Sequence, residues 1–499
     1  MRFRTLILIV LVAGVAAMAV RPSFDTDTWW HLRAGQWIVE NGRVPTTDPF
    51  SSTMRGGPWK YPGWLAQVVL LGFYRVGGLT GLTLFTATFV AMAMMFLWPR
   101  LEGPLVLRAA VILLAAATSA VYWSARPQII SFALAAVFLW ALASWREPGR
   151  RWRVWALPVG MAIWVNVHGG FAIGFLLVAL ELLAEVLDLL LGLLARRRPL
   201  VEAWARRRTG VMTLAAVLGL CFAAAAANPY GPGILSYPLR TASIPVLQER
   251  IQEWQPPDFQ NPQLAPFLVS LLTLLALLAV SRRPCTASAV IQTVGWTAMA
   301  LLAVRNVPIF ALVAAPIHSR HAGATIEPLV ETLRSRPAAP ERPRLNFALG
   351  LVLTAAVGVW IAVQTSPSRN RDHLASLVPL EAFGYLKAHR PAGTLLNDYN
   401  WGGYVLWDLY PTYPSFVDGR TDVFSEAVFD DYLRLWTAGE GWEAAMARYD
   451  IGVVLLPPDS PLLDALRRAG WREAFREDAA VVMVRDSNGQ RAPWAGVRS

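Results

Sequence analysis

Long apolar runs, nearly free of charge, decide what this chain can fold into. They occupy residues 5–20, 79–98, 128–145, 170–195, 264–280 and 346–365. Each approaches the ~20 residues that a helix needs to cross ~30 Å of hydrocarbon. No water completes the backbone's hydrogen bonds there, so a spanning run is a helix or part of a closed barrel. The alternating pattern of a membrane barrel is absent. Further apolar runs at 105–122, 152–166, 210–227, 286–303 and 307–319 raise the expected total to about eleven spans of bilayer length. Residues 63–76 are short for a span and read as a helix in the interface, with Trp64 and Tyr74 at headgroup level. The fold class is therefore a membrane all-α bundle.

Charge then orients the spans. Only 16% of residues are charged, against about 25% in an ordinary soluble domain. The net charge of +11 is clustered at Arg146–Arg153, Arg196–Arg208, Arg282–Arg283 and Arg320–Arg344, with Met1–Arg4 a weaker cluster. Basic loops beside apolar runs mark the cytoplasmic side, so the clusters report topology and no nucleic-acid partner is expected. This reading puts the N-terminus in the cytoplasm. It puts outside the loop 21–62, Arg126, the turn Asn166–His168, the loop 228–262, Arg305 and everything after residue 365. The expected domains are a membrane domain over 1–365 and an extracytoplasmic domain over 366–499. Cys221 and Cys285 are not spaced for a metal site or an evident disulfide. No inverted repeat, as many carriers have, is apparent.

The first external loop begins FDTDTWWHLRAGQWIVENG. Trp29, Trp30, Leu32, Ile38 and Val39 recur at roughly helical spacing, so 28–40 read as an amphipathic helix on the membrane surface. Asp27 or Thr28 can cap it, and Gly42 stands where a helix stop is expected. The plain reading has Asp27 capping and Asp25 solvated. The functional one has a carboxylate beside the outer face acting on a lipid-borne substrate. It would serve as general base toward an acceptor hydroxyl, or hold a divalent metal against a phosphate.

These residues resemble a family. A first span, then Phe24-Asp25, an aromatic-rich helix, Arg33 and the VENG at 39–42 are similar to the first luminal loop of GT-C glycosyltransferases, oligosaccharyltransferase catalytic subunits among them. The D-x-D-x-W-W-H-L at 25–32 looks like that of a bacterial group of uncharacterised multi-spanning proteins. The RPQ of Arg126–Gln128, the NVHGGF of Asn166–Phe171, the NPYGPG of Asn228–Gly233, Glu253-Trp254 and the RNVP of Arg305–Pro308 extend the likeness over most of the chain. It implies a polyprenyl-linked sugar donor and an essential carboxylate at Asp25. Asp27 would assist, His31 and Arg33 would contact substrate, and Asp25 would be the ligand of any divalent cation (Mg or Mn).

Other outward residues have chemistry of their own. Arg126, at a span entrance, suits a phosphate diester, with snorkelling as the plainer role. Arg305 is a second candidate for neutralising a lipid phosphate. His168, between Asn166 and two glycines, can move protons or simply bond its turn. Loop 228–262 is long enough to be a binding element; there Trp254 can stack on a sugar face and Glu253 can bind its hydroxyls. Their plainer roles are an interfacial anchor and an ion pair with Arg250.

After Ser366, strands are expected at 394–398, 414–418, 451–457 and 479–485, with helices at 379–389, 402–409, 426–437, 441–449 and 460–469. That alternation describes a small α/β domain. DYNWGG (398–403) and VDGRTD (417–422) end two of the strands, where α/β sheets bind ligands. Asp398, Trp401, Asp418 and Arg420 are the candidate substrate contacts, against plain turn chemistry. DYNWGGYVLW loosely resembles the acceptor-recognising W-W-D-Y-G segment of oligosaccharyltransferases, with one tryptophan of the pair missing.

The expected activity is transfer of sugar from a polyprenyl-phosphate carrier to an extracytoplasmic acceptor. The alternatives are a transporter or flippase of lipid-linked sugars and a non-catalytic envelope-assembly scaffold. The lack of a Walker A or dinucleotide glycine pattern agrees with a lipid donor. Membrane lipids are expected partners; sugar, acceptor and oligomeric state are left open.

Overall fold

The computed structural model describes residues 1–145, 147, 149–194, 200–244, 251–334 and 341–485. Arg146, Arg196, Glu249, Arg250 and residues 335–340 of the last basic cluster lie outside them. Packing separates the chain into two compact units, Met1–Ser23 with Thr80–Ser366, and Phe24–Leu79 with Pro367–Ser499. The sequence-based division at 365/366 left the loop 21–62 with the helices, whereas by packing residues 24–79 join the C-terminal segment.

The first unit is helical, and the chain is a multi-pass membrane protein. Among the described residues six stretches are long and apolar enough to cross a bilayer. They are Trp64–Arg100, Leu105–Tyr122, Gly169–Leu191, Arg207–Ala225, Pro262–Val280 and Pro343–Gln364. Phe3–Ala19, Gln128–Ser144 and Ala287–Leu302 are apolar but have 17, 17 and 16 residues. At 1.5 Å per residue they rise only about 25 Å. Of the other expected spans, 152–166 resolves into a 3-10 stretch, Arg151–Ala156, and an 11-residue helix, Leu157–Val167. Residues 307–319 lie inside a 28-residue helix, Val307–Arg334, with Pro316 and Pro328 within it. Six of the expected eleven thus meet the length and apolarity of a full span.

Exposed and buried sides separate clearly. Val352 and Val359 are exposed on Pro343–Gln364. Phe267, Leu274, Ala300, Phe310 and Ala314 form a buried cluster between Ala265–Val280, Ala287–Leu302 and Val307–Arg334. The first and last helices of this unit are bonded to each other: Trp360 Nε1 donates to Ala17 O at 3.1 Å and Asn346 Nδ2 to Met1 O at 3.2 Å. Polar side chains in a membrane bundle commonly bond across helices in this way.

Gly78 breaks the long helix Trp64–Leu97, with φ 56° and ψ −137°. An ordinary residue is strained in that region, so 64–77 and 79–97 are separate helical pieces.

The second unit joins the helix Thr28–Asn41, which Gly42 ends in a left-handed conformation, to a four-stranded mixed sheet. Its strands are β1 (Thr394–Asn397), β2 (Ile451–Leu456), β3 (Arg472–Arg476) and β4 (Val481–Val484), in the order β1-β2-β4-β3. β1 and β2 run parallel; β2–β4 and β3–β4 are antiparallel. The helices Leu380–His389, Gly402–Asp408, Glu426–Thr437, Trp442–Arg448 and Pro461–Arg468 fall where the alternation placed them.

Two strand expectations change. Residues 414–418 form no strand, because the Asn397 side chain takes a neighbouring strand's place. Its Nδ2 donates to Val417 O at 2.9 Å and its Oδ1 accepts from Phe416 N at 2.8 Å. Ser415 is bridged instead to Ser51. The strand missed in the sequence is β3, whose charged REAFR gives no apolar signal.

Candidate functional site

Chemistry-bearing residues gather in both units. In the helical unit the centre is Glu253, in the 3-10 turn Gln252–Trp254. Val304 N donates to Gln255 O at 3.0 Å, which fixes that turn against residues 304–306. Glu253 accepts from Tyr122 Oη at 2.5 Å and is ion-paired with Arg126. Arg126 Nε also donates to Ser124 Oγ at 3.1 Å. Burial alone would raise the Glu253 carboxyl. The Arg126 charge, the hydrogen bonds from Tyr122 and Arg126, and Arg305 outweigh it and hold the group below the ordinary range. Arg305 stands over the Trp254 ring, 4.1 Å from its centroid. No carboxylate is within ion-pair distance of Arg305 among the described residues.

His168 follows Leu157–Val167 with extended backbone. Its Nδ1 accepts from Gly170 N at 3.1 Å and lies 2.9 Å from Ser131 Oγ. A backbone N–H can only donate, so Nδ1 is the acceptor and the neutral ring carries its proton on Nε2. Ser131 Oγ accepts from Trp164 Nε1 at 2.7 Å, which leaves its own hydroxyl to donate to His168. A Cβ at Gly170 would stand 2.7 Å from Nδ1, so the close turn requires glycine. Burial, then Arg305 and Arg126, push the imidazole down to about 3. Tyr122, Ser131, His168 and Arg305 line a cavity of about 40 Å³. Asn166 donates to Ala162 O and Ala227 O, and Asn228 Nδ2 donates to Val165 O and Asn166 Oδ1. These bonds tie two chain turns together and occupy the Asn166 amide, which was expected at substrate.

In the second unit Asp25, not Asp27, caps the helix Thr28–Asn41. Its Oδ1 accepts from Asp27 N, Thr28 N and Thr28 Oγ1 at 3.1, 3.2 and 3.2 Å, and Asp25 N donates back to Thr28 Oγ1 at 3.0 Å. This reciprocal pair is a capping box with Thr in place of Glu, and it fixes the carboxylate's direction. Asp27 accepts from Trp30 Nε1 at 3.3 Å and packs on Gly419, where no Cβ would fit. His31 is buried, its Nδ1 3.4 Å from Gln67 Nε2. Arg33 lies over the Tyr410 ring at 4.6 Å and donates to Gln36.

The four C-terminal candidates are more enclosed than a binding surface requires. Arg420 donates to Asp418 from Nε at 2.8 Å and Nη2 at 2.7 Å, and from Nη1 to Asp48 at 2.5 Å. The three side chains are 0% exposed in this network. Arg420 and Asp418 therefore hold the loop bearing Asp48 rather than present charge outward. Burial would depress the Arg420 guanidinium, but Asp418 and Asp48 hold it above its ordinary value. Asp398 caps the turn Tyr399–Trp401 through Asn400 N at 2.8 Å, and burial raises its carboxyl. Trp401 is buried. Asp48, which precedes Pro49, is not among the sequence candidates. Nor are Tyr122 and Ser131, for which no local signal exists.

No group of three or more His, Cys, Asp or Glu able to hold a metal occurs among the described residues. A cation at Asp25 would draw most of its shell from water, as magnesium commonly does.

No family model matches the chain, and no curated protein matches it in sequence. Solved structures do. Archaeal oligosaccharyltransferase AglB from Archaeoglobus fulgidus, in complex with an inhibitory peptide and a dolichol-phosphate, superposes with a TM-score of 0.56. The identity is 11%, over 90% of this chain and 69% of that one. ArnT from Cupriavidus metallidurans, bound to undecaprenyl phosphate, gives 0.51 at 13% identity, over 98% and 99% of the two chains. The chain shares the fold of these two proteins. The Archaeoglobus fulgidus oligosaccharyltransferase tethered with an acceptor peptide gives 0.52 at 12% identity, over 91% of this chain and 69% of that one. Against ArnT the likeness in fold runs over the helical segments and the C-terminal segment alike.

Proposed function

We propose that the chain is a membrane glycosyltransferase that moves a sugar from a polyprenyl-phosphate-linked donor to an acceptor outside the cytoplasm. The observation that carries this reading is the cluster of Arg126, Arg305, Glu253 and Tyr122 on a GT-C fold. Arg305, without a carboxylate partner among the described residues, is the proposed phosphate ligand. Arg126 joins it by exchanging Glu253 for the donor phosphate; both are planar forks suited to phosphate oxygens. Trp254 offers a face for the sugar, and His168 contributes its Nε2–H as a neutral donor.

Asp25 is the proposed general base, with Asp27 beside it. In the proposed step the acceptor hydroxyl loses its proton to the carboxylate and its oxygen bonds to the anomeric carbon. The carbon–phosphate oxygen bond breaks, and polyprenyl phosphate leaves with the electron pair. Arginines lower the barrier by meeting the leaving charge. Asp25 and the arginines belong to different packing units, and each assignment has its own test. The proposal keeps Asp398 and Trp401 as acceptor-side candidates and assigns Asp418 and Arg420 to holding the Asp48 loop.

The test is conversion of donor. Membranes rich in the protein are given extracted polyprenyl-linked sugars, and release of polyprenyl phosphate is followed by mass spectrometry. Protein-dependent release supports transfer. An unchanged donor pool in the presence of cell-envelope acceptor extracts removes it.

A further inference from the structure

The helical unit contains a second, much larger cavity of about 670 Å³. It lies at the other end of the bundle from His168. The helix Gln128–Ser144 touches both, Gln128 lining the small cavity and Ser144 the large one. Gln128 and Ser144 are roughly 24 Å apart along the helix, and the nearest lining residues, Phe132 and Leu139, about 10 Å. Nothing in the proposed transfer uses this cavity.

Its charges are unevenly matched. Three carboxylates line it, each with a partner: Glu147 with Arg150 at 2.5 Å, Glu102 with Arg283 at 2.6 Å, and Glu181 with Ser288 Oγ at 2.5 Å. Three lining arginines are different. Arg100, Arg153 and Arg320 each keep a buried Nε–H with no acceptor, and buried His321 has Nδ1 without a partner. Arg100 otherwise donates to Leu312 O at 3.2 Å, and Arg153 to Ser144 Oγ at 3.0 Å while lying over Trp140. Arg320 makes no side-chain hydrogen bond or ion pair among the described residues. Orienting spans accounts for arginines near helix ends. It does not account for three of them around one hollow with donors unmet, which costs free energy unless an anion arrives. Leu139, Leu142, Val313 and Ile317 supply apolar wall beside these charges. A charged head with an apolar continuation describes a lipid better than a free ion.

We propose that this cavity binds the phosphate of an anionic membrane lipid, with Arg100, Arg153 and Arg320 as its ligands. The proposal stands apart from sugar transfer. Full-length protein in detergent is titrated with phosphatidylglycerol, phosphatidylcholine or inorganic phosphate, and bound lipid is counted by native mass spectrometry. Wild type retains phosphatidylglycerol over phosphatidylcholine, and inorganic phosphate displaces it only at high concentration. The Arg153→Gln/Arg320→Gln pair lowers retention at least about tenfold, since charge-assisted bonds to phosphate are among the stronger ones. Arg320→Gln alone, which removes no bond within the described residues, gives a partial loss. It serves as the variant certain to fold if the pair is unstable in phosphatidylcholine. Glu147→Gln releases Arg150 and raises retention. Unchanged retention in the arginine variants, equal retention of both lipids, or a loss in Glu147→Gln overturns the proposal. Inorganic phosphate as effective as lipid would leave a free-ion site and overturn the lipid assignment.

Discussion

Asp48 and Arg420, 372 positions apart in sequence, meet as a buried ion pair of 2.5 Å with no solvent exposure on either side chain. Asp418 holds the same guanidinium on its other edge, and Phe50 and Trp59 close over it at 5.2 and 4.9 Å. The second unit therefore depends on a charge network linking its two segments. Removing one partner strands the other in a dry site, which costs about 3–5 kcal/mol. Asp48→Ala should lower the yield and melting temperature of the purified protein strongly, and Arg420→Lys should do so too, because an ammonium cannot reproduce the two-pronged bond. A melting temperature unchanged in both would show that the network is dispensable.

Asp25→Asn separates folding from catalysis. The asparagine oxygen can still accept from Asp27 N and Thr28 N, so helix Thr28–Asn41 stays capped and the melting temperature should move little. Transfer should drop by about two to four orders of magnitude, the range for a lost general base. Equal losses in stability and activity would mark Asp25 as a cap alone.

Arg305→Gln should weaken donor turnover by roughly tenfold or more, as loss of a charge-assisted phosphate bond does, with little effect on stability. Glu253→Gln tests the exchange at Arg126. It removes the carboxylate that competes with phosphate, so donor binding should tighten or hold even if turnover falls. Weaker donor binding in Glu253→Gln, measured by the substrate concentration at half-rate, would contradict that exchange.

His168 gives a pH prediction with a definite sign. Its imidazole is pushed from 6.5 down to about 3, chiefly by burial. Below pH 6.5 the unfolded chain binds a proton that the folded one refuses. Stability should therefore fall as pH drops from 6.5 toward 3, by about 1.4 kcal/mol per unit for a single group. Melting curves of His168→Gln should be flatter over that window than those of wild type by close to one proton. The same group stays neutral from pH 5 to 8, so any activity change in that range must come from elsewhere.

If a divalent cation serves Asp25, it is held mostly by donor phosphate and water, and chelation should be fully reversible. EDTA should suppress transfer without altering the melting curve, and added magnesium or manganese should restore it. A large melting shift on chelation would point to a structural metal instead.

The apolar runs and the α/β alternation were readable because each is a local, periodic pattern. Helix Glu426–Thr437 and strand Ile451–Leu456 appear where that pattern put them. What escaped was set by partners distant in sequence. Residues 414–418 look like a strand until Asn397 supplies the neighbouring bonds. Asp418 and Arg420 look like ligands at a strand end until Asp48 arrives to bury them. Capping was misplaced by two residues for a related reason. Asp27 stands at the helix boundary, but its carboxylate is drawn to Trp30 and Gly419, and the reciprocal bonds with Thr28 fall to Asp25.

The most direct measurement is the lipid-linked sugar profile of cells lacking the gene and complemented with either wild type or Asp25→Asn. Transfer from a polyprenyl carrier predicts that one sugar-lipid accumulates in the deleted and Asp25→Asn cells and returns to the parental level with wild type, alongside one surface glycan. Identical sugar-lipid profiles in all of these cells, with the variant protein present in the membrane, would contradict the account.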